Sequence, residues 1–174
     1  MLYGEWVMHN SEKEKIELEH QAAKLFMRCY ERNTGKHIRH IWHNDPIRPD
    51  VSCMLEGERL DLEIAHLYGS EEEAMEILGR DLTPITRNVL RALKEEPAGE
   101  RLLRSLNKIL ENKSGKQYDS NRVWLVIRNT HPAWSQADIK ALEHLITIPA
   151  PHAFEKVWIL GDIEGKSGIV RLYP

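Results

Sequence analysis

Two acidic residues in neighbouring segments of the chain, Asp50 and Glu63, are spaced so that their side chains could share a metal ion. Segments 50–55 and 58–67 are predicted to be the two strands of a β-hairpin, because Glu56-Gly57 between them is a turn signal. The second segment alternates between apolar and polar side chains, which is the period of a strand. The chemistry expected of two carboxylates on paired strands is binding of a hard divalent cation.

The length of the hairpin loop decides how close the two acids come. A two-residue loop places Asp50 opposite Glu63, and side chains paired in this way lie roughly 4.5–5.5 Å apart at Cβ. Two carboxylates at that distance repel each other unless a cation or a proton lies between them. A three-residue loop would pair Asp50 with Ile64 instead and leave Glu63 one diagonal step away. Both registers stay open at this point.

The pleat of the second strand separates an acidic face from an apolar face. The apolar face is predicted to enter the core. The acidic face is predicted to look either toward a functional site or toward water, with Asp61 as a spare acid. The acidic face carries Asp61, Glu63 and Ala65, and the apolar face carries Leu60, Leu62 and Ile64.

Alternating helix and strand signals along the chain indicate that an α/β or α+β domain positions this hairpin. A first helix is predicted over 11–31 with a capping box at Ser11. Residues 36–49 are predicted to be a polar connector whose three histidines are solvated. The other predicted elements are helices at 71–79, 84–96, 99–113 and 135–146, and strands at 122–128, 155–161 and 167–173.

Three short stretches follow one another along the chain. They are His43-Asn44-Asp45-Pro46 leading to Pro49-Asp50, then Leu62-Glu63-Ile64-Ala65, and then Lys113 to Tyr118 before the strand at 122–128. This order resembles the PD-(D/E)xK nuclease superfamily, and in particular its bacterial and phage members with a "PDF … IEVT" pair of strands. The resemblance implies one α/β domain over residues 1–174, with a restriction-endonuclease-like mixed β-sheet flanked by helices.

The resemblance also implies a set of metal ligands. Asp50 matches the first aspartate of the motif and Glu63 its second acid, so both are expected to ligate Mg²⁺ (or Mn²⁺), with the Ile64 carbonyl as a further ligand. Glu19 lies on the apolar stripe of the first helix, where such nucleases often place another carboxylate. The alternative for Glu19 is a salt-bridged helix residue.

One position departs from the family pattern, because Ala65 stands where the motif has its catalytic lysine. Lys113 is the candidate replacement, since it lies on the apolar stripe near the end of its helix. The metal alone could acidify the attacking water. His66 could also help, although its side chain should point to the opposite face. The remaining alternative is a catalytically inactive chain.

The function that the resemblance implies is metal-dependent hydrolysis of phosphodiester bonds in nucleic acid, with DNA favoured over RNA. Residues 80–122 hold 10 basic against 6 acidic side chains, although the whole chain has a net charge of −3. Arg80, Arg87 and Arg91 in this basic segment are expected to bind the nucleic-acid backbone without reading its sequence. The alternative is an inactive module on the same fold that binds nucleic acid or a protein partner.

Composition excludes several other classes of protein. The 174 residues suit one domain, and the hydrophobic fraction of 41% argues against disorder. Cys29 and Cys53 form no metal or redox motif. No apolar run approaches a membrane span, and the N-terminus carries acids, so a cytoplasmic protein without a membrane partner is predicted. A homodimer is compatible with the sequence.

Overall fold

The structure, a computed structural model, describes residues 2–46 and 48–174, with side chains from residue 11 onward. It has an α/β fold with one six-stranded mixed sheet flanked by helices, as the sequence predicts. Met1 and Ile47 of the predicted domain 1–174 lie outside the described residues. Within the described part of the chain, no helix is both long and apolar enough to cross a membrane.

The strands follow one another across the sheet in chain order. They are β1 (Ile38–His43), β2 (Val51–Leu55), β3 (Glu58–Leu67), β4 (Val123–Asn129), β5 (Lys156–Leu160) and β6 (Ile169–Tyr173). β3, β4 and β5 are parallel, and the other neighbouring pairs are antiparallel. The helices are α1 (Leu2–Thr34), α2 (Glu71–Ile77), α3 (Pro84–Glu95), α4 (Ala98–Ser114) and α5 (Gln136–Ala141), and a short 3₁₀ turn spans Glu143–Leu145.

The two faces of the sheet are covered by different helices. α1 packs on one face, where Phe26 and Tyr30 meet the rings of Trp124 and Trp158 at centroid distances of 5.3–6.2 Å. α4 and α5 pack on the other face through Leu102, Leu106, Leu110 and Ile139. β4 is buried along its whole length, as its apolar sequence predicts for a central strand. The sheet is therefore a middle layer between α1 and α4.

The hairpin has the two-residue loop and the register that place Asp50 opposite Glu63. Leu55 pairs with Glu58 and Val51 pairs with Leu62, and one further step leads to the two acids. Glu56 and Gly57 have φ angles of 51° and 81°, the left-handed conformations that a type I′ turn requires. The three-residue alternative is therefore wrong.

Three predicted elements differ from the structure. α1 begins well before Ser11, so this residue lies inside the helix and does not cap it. The connector at 36–49 contains edge strand β1, in which only Ile38 is buried, so no alternation of apolar residues revealed it. α5 is capped by Ser135 as predicted but ends at Ala141, and a 3₁₀ turn at Glu143–Leu145 follows it.

A buried ion pair connects α2 and α4. The Arg101 guanidinium donates a hydrogen bond to Glu73, and both residues are only 6% exposed. His131 Nε2 lies 2.7 Å from the same Glu73 oxygen. Burial is the main cause that lowers the pKa of His131, and the Arg101 charge lowers this pKa further. A neutral imidazole therefore donates its proton to Glu73.

Removal of the Glu73 carboxylate is expected to destabilise the protein strongly. In Glu73→Ala the Arg101 charge stays buried without a partner, which costs on the order of 3 kcal/mol in the free energy of unfolding. Urea denaturation measures this change. Glu71→Ala, which removes an exposed acid from the same helix, is the control. Equal and small losses in both variants would contradict this account of the pair.

Candidate metal centre

The candidate site lies where β3 extends beyond β2. β2 ends its pairing at Val51 opposite Leu62, so residues 63–67 of β3 lack a β2 partner along that edge among the described residues. α1 and α4 flank this open edge and form the walls of a cleft of about 410 Å³. The end of β3 is therefore accessible between two helices, although the strand lies inside the sheet.

The acidic face of β3 is buried on the side of the sheet where α4 packs, so the alternative that it looks toward water is wrong. Asp61 and Glu63 are only 4% and 5% exposed. The side chains of the acidic face point to the side of the sheet where α4 packs. The apolar face of β3 packs in the core cluster that contains α1. A carboxylate this deeply buried requires a partner, because burial of an unpaired charge is costly.

Asp50 is held against the open edge of β3 by the backbone. Its Oδ2 accepts a hydrogen bond of 2.9 Å from the Ile64 N–H. The Asn44 N–H donates to the Asp50 carbonyl at 3.1 Å, which fixes the segment before β2. One Asp50 oxygen thus binds the strand, and the carboxyl group lies within hydrogen-bonding reach of Glu63.

The two carboxyl groups share a proton in the absence of a cation. Burial raises the pKa of Asp50 to about 8, and the hydrogen bond and charge of Glu63 act in the same direction. Burial would also raise the pKa of Glu63, but the hydrogen bond with Asp50 and the Lys113 charge hold it below its ordinary value. Near neutral pH, the pair is therefore a protonated Asp50 beside an ionised Glu63.

Lys113 reaches the carboxylate pair from α4. Its Nζ lies 3.3 Å from Glu63 Oε2, and its side chain is 16% exposed. The sequence predicted this approach, because Lys113 continues the stripe formed by Leu106 and Ile109 near the end of the helix. Lys113 and Ala65 line the same cleft. An ammonium group thus lies beside the second acid, although the strand position of the motif lysine carries alanine.

Tyr118 is a further neighbour of the pair that the sequence analysis did not assign. Its hydroxyl is close enough to Glu63 to help lower the pKa of that acid, yet it has no well-formed hydrogen bond within the described chain. Burial, followed by the proximity of Glu63, raises the pKa of Tyr118. The stretch from Lys113 to Tyr118 was the available signal, because it contributed to the family resemblance.

Glu19 borders the cleft but does not join the other two acids closely. Lys15 Nζ and His43 Nδ1 lie 3.7 and 3.8 Å from its oxygens, and the residue is 5% exposed. Burial raises its pKa, against the charges of Lys15 and His43. No three His, Cys, Asp or Glu side chains come together as a metal cluster within residues 11–46 and 48–174, whose side chains the structure describes. The geometry favours the salt-bridged alternative for Glu19, and its role as a ligand stays a prediction.

The oxygen atoms at the open edge fit a hard dication. In a strand, the N–H and C=O of one residue point to the same side. Because the Ile64 N–H faces Asp50, the Ile64 carbonyl faces the same edge. Two carboxylates and a carbonyl are ligands that Mg²⁺ or Mn²⁺ accept, with waters as the remaining ligands. A bound dication would replace the proton and neutralise the charges of the pair.

Two hollows border this site, and we call them together the groove. The cleft that contains Ile64 and Lys113 adjoins a second hollow of about 280 Å³, which contains Asp50 and Arg48. Lys15 and Glu19 line both hollows. One hollow therefore borders Asp50 and the other borders Ile64, and the sequence alone did not indicate Lys15 or Arg48.

The three arginines predicted to bind nucleic acid have different positions. Arg80 lines the cleft, and its guanidinium lies 2.5 Å from Glu14 Oε2. Arg87 and Arg91 are exposed on α3 and line neither hollow of the groove. Only Arg80 is brought to the site, and binding by all three stays a prediction.

His66 lines the cleft with its side chain on the face opposite Ala65. Burial lowers its pKa to about 4, and the Arg128 charge acts in the same direction. A neutral imidazole at pH 7 cannot replace the positive charge of the motif lysine. Lys113 is therefore the better placed of the two candidate replacements.

Comparison of the chain with protein-family models, curated proteins and solved structures finds no match. The resemblance to PD-(D/E)xK nucleases stays a prediction based on short motifs, and the assignment of a function depends on the geometry of the site.

Proposed function

We propose that the protein is a metal-dependent nuclease that hydrolyses phosphodiester bonds in nucleic acid, with DNA as the favoured substrate. The observation that supports this proposal is the pair of half-buried Asp50 and buried Glu63, with the Lys113 ammonium 3.3 Å from Glu63. Two acids and one lysine at the open end of a strand are the groups that such hydrolysis requires.

Each residue of the site has a chemical role in this proposal. Asp50 and Glu63 would hold Mg²⁺ or Mn²⁺, together with the Ile64 carbonyl. The bound ion would polarise the scissile phosphate and lower the pKa of a coordinated water. Lys113 would stabilise the negative charge that develops on the phosphate oxygens, the role of the motif lysine that Ala65 cannot fill.

The basic side chains that line the groove favour a polyanionic substrate that extends past the carboxylate pair. Lys15, Arg48 and Arg80 line its two hollows. Lysine and arginine side chains bind backbone phosphates without reading bases. A cytoplasmic location and a homodimer are compatible with the proposal.

An incubation of the purified protein with plasmid and with single- and double-stranded oligonucleotides in Mg²⁺ or Mn²⁺ tests the proposal. We expect cleavage by the unchanged protein, no cleavage in the presence of EDTA, and no cleavage by Asp50→Ala. Equal rates for the unchanged protein and Asp50→Ala would exclude this site as the source of activity.

The second candidate is an inactive module that binds nucleic acid or a protein partner on the same fold. Alanine at the position of the motif lysine and the net charge of −3 favour it. Binding of the oligonucleotides without cleavage, in the same incubation, would support the module and exclude the nuclease.

A further inference from the structure

A network of hydrogen bonds lies behind the carboxylate pair. Its centre is Asp61, which is 4% exposed and lies on the same face of β3 as Glu63. Asp61 Oδ1 accepts hydrogen bonds from Ser52 Oγ and, at 3.0 Å, from Arg59 Nε. Asp61 Oδ2 accepts from Ser120 Oγ at 2.6 Å. Both oxygens of this buried carboxylate are therefore bound to protein donors.

One arm of the network reaches the segment that leads into Asp50. Ser52 Oγ, which donates to Asp61, accepts a hydrogen bond of 2.7 Å from Asn44 Nδ2. Asn44 Nδ2 also donates to the Pro49 carbonyl at 2.9 Å, and the Asn44 N–H donates to the Asp50 carbonyl. The position of Asp50 thus depends on a chain of hydrogen bonds that ends at Asp61.

The other arm reaches the loop that carries Tyr118. Ser120 Oγ donates to Asp61 and accepts from the Arg122 N–H at 3.2 Å. The Ser120 N–H donates to the Tyr118 carbonyl at 3.0 Å, and the Tyr118 side chain lies beside Glu63. Asp61 therefore connects the two loops that flank the carboxylate pair.

We propose that Asp61 is a positioning residue, which holds Asp50 through Ser52 and the Tyr118 loop through Ser120, so that Asp50 and Glu63 stay paired. Asp61 is not a metal ligand in this arrangement, because its oxygens are already bound. The significance of the role for metal binding rests on the proposed function. Outer partners of this kind orient ligands and tune the affinity of a metal site.

Amide hydrogen exchange of the metal-free protein tests the positioning role directly. The Ile64 N–H, which donates to Asp50, reports how firmly Asp50 is held, and the Val126 N–H in the centre of β4 reports global unfolding. In Asp61→Ala and Ser52→Ala, we expect the ratio of the Ile64 rate to the Val126 rate to rise roughly tenfold.

The matched control is Ser135→Ala, which removes another serine–aspartate hydrogen bond, that of the α5 capping box. We expect it to leave the ratio of the two exchange rates unchanged. An unchanged ratio in Asp61→Ala and Ser52→Ala as well would overturn the proposal, because it would mean that the network does not hold Asp50.

Calorimetric titration with Mn²⁺ separates a positioning residue from a ligand. We expect Asp61→Ala, Ser52→Ala and Ser120→Ala each to weaken Mn²⁺ binding by about tenfold or more. If Asp61 were itself a ligand, the two serine variants would bind Mn²⁺ with full affinity. That result would contradict the proposal. A raised exchange ratio without Mn²⁺ binding by the unchanged protein would support the positioning role and overturn the proposed function.

Discussion

Replacement of Asp50 by asparagine is expected to reduce metal-dependent cleavage by at least about a thousandfold and to make the protein more stable. Asparagine keeps the shape of the side chain, and its carbonyl oxygen still accepts a hydrogen bond from the Ile64 N–H. Its amide donates to Glu63 as the shared proton does, but it supplies no charge for a dication. Plasmid cleavage measures the first effect, and urea denaturation measures the second.

The gain in stability has a defined dependence on pH. Because the pKa of Asp50 is raised from 3.8 to about 8 on folding, the folded protein holds a proton that the unfolded chain has lost. The stability of the unchanged protein therefore falls as the pH rises from about 4 to about 8. The advantage of Asp50→Asn grows across the same window and reaches the order of a few kcal/mol.

A matched variant distinguishes the effect of losing the Asp50 carboxylate from the effect of losing any surface charge. Asp81→Asn neutralises an exposed acid outside the groove and is expected to leave cleavage and stability unchanged. If Asp50→Asn were less stable than the unchanged protein at pH 8, Asp50 and Glu63 would not form a repulsive pair in the folded state.

Replacement of Lys113 by methionine is expected to lower the cleavage rate by about a hundredfold to a thousandfold. The change keeps the aliphatic chain that packs in the cleft and removes only the ammonium group beside Glu63. The affinity for Mn²⁺ is expected to change less than the rate, because Lys113 would act on the phosphate charge. Single-turnover cleavage measures the rate, and calorimetry measures Mn²⁺ binding.

Two further variants sharpen this result. Lys116→Met removes an exposed lysine shortly after α4 and is expected to keep the full rate. Because Ala65 and Lys113 line the same cleft, Ala65→Lys in the Lys113→Met background is expected to restore part of the rate from the strand position. Unimpaired cleavage by Lys113→Met would remove Lys113 from the mechanism.

The hairpin could be predicted because local rules determine it, whereas its register was narrowed only to two alternatives that differ in loop length. Glu56-Gly57 suits a two-residue turn, and the loop length then fixes which residues oppose each other. Lys113 could be predicted because helical periodicity places it on the buried side of α4. These predictions needed only the spacing of residues within one element or one hairpin.

The burial of the acidic face could not be predicted from β3 alone. A strand that alternates leucine with acids has the pattern of a half-exposed strand. The tertiary partners that change this environment are Ser52 and Ser120 at Asp61 and Lys113 of α4 at Glu63. β1 was missed because an edge strand with one buried residue has no apolar period. Lys15 and Arg48 come from separate elements, and no spacing rule joins them at the groove.

In the proposed site, Asp50 and Glu63 act together on one metal ion. A crystal soaked in Mn²⁺ above pH 8, where Asp50 loses its proton, tests this most directly by anomalous scattering. We expect one strong peak at ligand distance from both carboxylates and from the Ile64 carbonyl. A crystal in which the two side chains turn apart, with no manganese between them, would contradict the account.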